Sequence, residues 1–69
     1  MELNGSDSSI LWFLAQYPHA VSEDLLNALT PMASHVAQYI LDPSMEVSEE
    51  AKYAAVYFIE QAQIKKYGE

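Results

Sequence analysis

Apolar positions along this chain recur at helical spacing in three stretches, and no stretch of useful length alternates as a strand would. The last stretch is the most complete. Ser48 stands as an N-cap, Glu49 and Glu50 put negative charge in the first turn, and Lys65 and Lys66 put positive charge in the last. Gly68 falls where a left-handed C-terminal cap would be needed. One stripe of this helix, predicted over 48–67, runs Ala51, Ala54/Ala55, Phe58 and Ala62, and a second runs Tyr53, Tyr57, Ile64 and Tyr67. Val56 and Ile59 fill part of the remaining arc, so the middle is apolar almost all round and needs cover on several sides. The rest of the chain is too little to cover it alone.

Ahead of it, Met1–Ser6 is polar, contains Gly5 and reads as a frayed lead-in. A first helix over about 7–17 starts with Ser6 or Asp7 as its N-cap. It runs through Ile10-Leu11-Trp12-Phe13-Leu14-Ala15-Gln16-Tyr17 until Pro18, which pushes the residue before it out of helical geometry. Short and strongly apolar, it is not stable alone and must dock on the other helices, leaving Trp12 or Phe13 near the surface or at a partner.

Ser22 then caps a second helix over 22–41, with Glu23 and Asp24 in the first turn and Val21 and Leu26 at the spacing of a hydrophobic staple. Its stripe of Leu25, Leu29, Met32, Val36 and Tyr39/Ile40 makes a coiled-coil seam. Thr30-Pro31 interrupts it and allows two readings. Thr30 caps a fresh helix with Pro31 at its first position, or one helix kinks where Pro31 cannot donate to Asn27. The stripe keeps phase across the proline, which favours the kinked helix. Pro43 closes it, and the short connector Asp42–Val47 predicts that the second and third helices return antiparallel, as a hairpin of roughly 30 Å per arm.

Composition sharpens the question of cover. Sixty-nine residues make one domain at most, and a domain of that size buries roughly 60% of its unfolded surface, marginal unless stapled or oligomeric. With no cysteine there are no disulfides, which tilts the reading to an intracellular, cytoplasmic protein. The longest strictly apolar run, Ile10–Ala15, is too short to span a bilayer, and Met1–Gly5 lacks the basic start of a signal peptide. Ten acidic residues against three lysines give a net charge of −7. That argues against direct binding to nucleic acid or to an anionic membrane, and permits a basic protein partner or plain solubility.

Chemistry finds little purchase. His19 and His35 stand sixteen apart, without metal-ligand spacing, so His19 reads as a loop residue and His35 as part of a polar face; no metal or cofactor is expected. No nucleophile is matched to an oriented base, and no glycine-rich phosphate loop is present, which predicts a non-enzymatic protein. The segment Leu11–Leu26 scans as helix-turn-helix, but Glu23 and Asp24 in its second helix would repel phosphate. Two features remain. Large aromatic side chains anchor interfaces. Trp12, Phe13, Tyr53, Tyr57 and Ile64 form the expected dimer interface, with Trp12, like Phe58, also open to a core reading. Clustered carboxylates at Asp42, Glu46, Glu49 and Glu50, with Tyr39 beside them, form the expected partner-binding surface. The helix dipole explains Glu49 and Glu50 but not Asp42 or Glu46.

Residues Glu23-Asp24-Leu25, Met32-Ala33 and Phe58-Ile59-Glu60-Gln61-Ala62 resemble the pattern of short, uncharacterised helical-hairpin proteins of bacteria and their phages. The resemblance, over 22–63, implies dimerisation through helix packing and no enzyme activity. The combined expectation is all-α: a short N-terminal helix plus a long antiparallel hairpin, paired into a homodimeric bundle of four to six helices. Its expected role is to bind and regulate or inhibit another protein, as an inhibitor or adaptor, with carboxylates mimicking nucleic acid as one variant. The alternative is a self-assembling structural subunit.

Overall fold

The computed structural model describes residues 3–68, which form four α-helices with no strand among them. They are α1 (Gly5–Gln16), α2 (Glu23–Asn27), α3 (Pro31–Leu41) and α4 (Glu49–Tyr67). Each begins the same way. Asn4, Ser22, Thr30 and Ser48 hold extended backbone, and their side-chain oxygens accept from the N–H of Asp7, Leu25, Ala33 and Ala51. Each cap satisfies one of the N–H groups that a helix start leaves without an intrahelical partner.

The first helix starts earlier than its sequence suggests. Ser6 and Asp7 are not caps but lie inside α1, and Asn4 Oδ1 takes the Asp7 N–H at 2.7 Å. Leu3, just ahead of the cap, packs partly buried against the core, so this portion of the expected lead-in is folded. Met1 and Glu2 lie outside the described residues.

The predicted second helix is two helices rather than one kinked one. Ala28 closes α2 by donating back to Asp24 and Leu25, and the Leu29 N–H returns to Leu26. Thr30 then takes φ −65° and ψ 162°. That is the extended geometry a following proline imposes, and Pro31 sits at the first helical position, where its missing N–H costs nothing. The seam therefore survives only from Leu29 onward: Leu29, Val36 and Ile40 are buried, Met32 and Tyr39 half-buried, and Leu25 exposed.

The third predicted helix is α4, with Ser48, the two glutamates and the two lysines where expected. Gly68 is not left-handed, having φ −90°. What favours glycine there is space, because a Cβ would lie 2.5 Å from the Ile64 carbonyl oxygen.

Helices α1 and α3 both pack on α4 and on each other, while α2 touches α3. The assembly measures 33 × 25 × 23 Å. Its core joins Leu11 and Leu14 of α1, Leu29, the Ala33, Val36, Ala37 and Ile40 face of α3, and the alanine stripe of α4 with Phe58. Among the described residues only Leu11, Leu14 and Val36 are large side chains wholly out of water. A core this thin contributes little beyond what ordering the chain costs. Among the described residues no helix is long and apolar enough to cross a membrane.

Candidate protein-binding surface

The two stripes of α4 meet different fates. Ala51, Ala54, Ala55, Phe58 and Ala62 are buried, and the four alanines' small side chains let neighbouring helices approach the α4 backbone closely. The second stripe is uncovered: Tyr53 is 70% exposed, Tyr57 57%, Ile64 61% and Tyr67 74%. A row of large apolar side chains left in water along about four turns is the kind of surface that a partner covers.

Where α4 meets α1, the uncovered stripe borders a groove made of two adjoining open hollows, of about 410 and about 490 Å³. Ser8, Tyr57 and Phe58 line both; Trp12 and Gln61 extend it at one end, Glu50 and Tyr53 at the other. Tyr57 stands edge-on to Phe58, ring centroids 5.5 Å apart at 81°. Trp12 is half-buried, packing against the core and lining this groove. Phe13 is exposed and pairs with Tyr17, the C-cap of α1, their ring centroids 5.3 Å apart, and neither lines the groove. The polar lining, Ser8, Ser9 and Gln61, was not singled out from sequence, because only the packing of α1 on α4 gives those residues a role.

The four expected partner-binding carboxylates are all exposed, and each has different neighbours. Asp42 Oδ1 accepts from the Ser44 hydroxyl at 2.6 Å and from its backbone N–H at 3.1 Å, so it builds the turn that leaves α3. Those two bonds, the hydroxyl first, hold its carboxyl below the ordinary value of 3.8. This local role accounts for an acid that the helix dipole did not explain. Glu46 borders a separate hollow of about 330 Å³ with His35, Gln38, Val47 and Ser48. Glu49 faces Lys52 at 3.8 Å on the surface, a pair worth little in water. Glu50 alone joins the aromatic groove. Tyr39 is half-buried and packs against the core.

A fifth acid, placed by its sequence as a candidate N-cap of the first helix, is buried instead. Asp7 is 3% exposed. Its Oδ2 accepts from the Thr30 hydroxyl at 3.0 Å, and the same Thr30 oxygen accepts the Ala33 N–H that caps α3. This is the one side-chain hydrogen bond among the described residues that ties distant parts of the chain. Its signal is Asn4-Gly5-Ser6-Asp7, an N-cap followed three residues later by an acid.

His19 lies exposed in the turn after α1 and His35 exposed on α3. Among the described residues no three His, Asp or Glu side chains come together as metal ligands would. Comparison with known protein families, curated proteins and solved structures finds no match to this chain.

Proposed function

We propose that this chain is a small acidic, non-enzymatic binding protein of phage or bacterial type, acting in the cytoplasm as a homodimer that regulates or inhibits another protein. In this reading α3 and α4 form an antiparallel hairpin, and the homodimer hides part of the aromatic surface. The observation that carries it is the uncovered Tyr53 and Tyr57 of α4, which a second copy would cover, beside the exposed carboxylates Asp42, Glu46 and Glu49, which a partner would meet. Exposed carboxylates around the connector suit a partner that offers basic side chains. With a net charge of −7 behind it, the same surface steers toward basic proteins, including ones whose basic groove normally holds nucleic acid.

The test is a tagged full-length chain used as bait in lysate of its own organism at low and high salt, with proteins identified by mass spectrometry. One stoichiometric partner, lost at high salt and lost on substituting Asp42→Asn, Glu46→Gln, Glu49→Gln and Glu50→Gln together, supports the regulator. Affinity indifferent to salt and to the fourfold neutralisation removes the nucleic-acid mimic. The second reading, a self-assembling structural subunit, is favoured by the length of the uncovered α4 stripe, and growth beyond a dimer with concentration would select it.

A further inference from the structure

The homodimer proposed above leaves open which surfaces meet and in which direction, and the charges of α4 answer both. Its first turn carries Glu49 and Glu50, its last turn Lys65 and Lys66, and the stripe between is apolar except for Glu60. Among the described residues the sole ion pair joins Lys52 to Glu49, and neither Glu50 nor Lys65 is paired with another described residue. Laid parallel, two such helices would set glutamates on glutamates and lysines on lysines. Antiparallel, the same helices are self-complementary, the condition for a closed two-fold pair.

We infer that two copies pair α4 against α4 antiparallel through the tyrosine stripe, about a two-fold axis between residues 58 and 59. This register puts Tyr53 of each copy level with Ile64 of the other. Glu50 falls level with the other copy's Tyr67, within one turn of its Lys65 and Lys66. Glu60, the charge inside the stripe, falls level with the other copy's Tyr57, whose hydroxyl can donate to it. Lys65 lies about 60° round the helix from Glu50, on the flank that an antiparallel two-fold turns toward the other copy's Glu50. The three exposed tyrosines, at 57–74% exposure, carry roughly 400 Å² of surface into this contact. That is about half of the ~800 Å² per partner of a standard interface, and Ile64, Val56 and the flanking charges extend it.

This inference rests on the homodimer reading, and the experiment separates the two. Chains carrying Lys65→Glu with Lys66→Glu, and chains carrying Glu49→Lys with Glu50→Lys, are compared with the natural sequence by sedimentation equilibrium, with helix content followed by circular dichroism. Each charge-reversed chain alone is expected to dissociate at least tenfold more readily, and an equimolar mixture to form mixed dimers at close to natural affinity. Because the chain has no cysteine, orientation is also read directly. Tyr53→Cys chains mixed with Ile64→Cys chains should oxidise to the mixed disulfide in preference to either self-pair. A natural chain that dimerises while the charge reversals change nothing, or self-linking at position 53, overturns the antiparallel register but not the dimer. A natural chain that stays monomeric overturns both.

Discussion

Thr30 serves two helices with one hydroxyl. Its oxygen caps α3 and its proton satisfies the buried Asp7 carboxylate of α1. Thr30→Val keeps the shape but removes both functions. Losing a cap costs about 1 kcal/mol, and leaving a buried acceptor unsatisfied costs about 1–3 more. Urea unfolding should therefore show a loss of about 2–4 kcal/mol, most of a stability that in chains this small rarely exceeds about 5. Thr30→Ser should restore most of it. In the Thr30→Val background, Asp7→Ala should cost less than in the natural chain, the signature of coupled residues.

Asp42 makes a quieter prediction at the same scale. Two bonds from Ser44 favour its charged form, so its folded carboxyl titrates below 3.8. The turn's contribution is then complete above that ordinary value and is lost as pH falls through the lowered one. A carboxyl titration followed by NMR should place Asp42 below the ordinary aspartate, and Ser44→Ala should move it back up. An Asp42 midpoint unmoved by Ser44→Ala would mean the turn is held by something else.

At the scale of elements, α4 was legible because every signal agreed: cap, acidic first turn, basic last turn and an alanine stripe that becomes the core face. The break before Pro31 was not resolved by pattern alone. Steps of three and four keep phase whether a helix bends or stops, and the deciding information was local, in the Thr30 side chain. The start of α1 was obscured by Gly5, which reads as a breaker, although Asn4 three residues ahead of Asp7 forms a cap. Nearness in sequence around the turn did not reveal that Asp42 is engaged by Ser44 and Glu49 by Lys52, while Glu50 borders the aromatic groove. Burial now sets the magnitudes on α4. Phe58→Ala should destabilise the fold by about 3–5 kcal/mol in thermal or urea unfolding. Tyr53→Ser, on the open stripe, should change the stability of a single chain by no more than about 0.5 kcal/mol. A reversed order of these two costs would mean that the stripes are misassigned.

For the whole molecule, the alanine face of α4 that lets α1 and α3 close up on it also limits the core to a few large side chains, while Tyr53, Tyr57, Ile64 and Tyr67 stay outside. Covering them is the simplest way for so small a fold to gain stability, and the acidic first turn and basic last turn of α4 make a second copy a fitting cover. In the antiparallel pair the two connectors 42–48 end up at opposite ends, separated by about the 28 Å length of α4. Two partner molecules, or two parts of one, would then meet similar acidic ends. The most direct test is the mass of the natural chain in solution, measured by light scattering across the micromolar range, beside the Tyr53→Ser/Tyr57→Ser variant. A mass of twice 7.8 kDa, falling to that of one chain in the variant, is the predicted result. A cooperative, heat-stable monomer of 7.8 kDa throughout that range would contradict it.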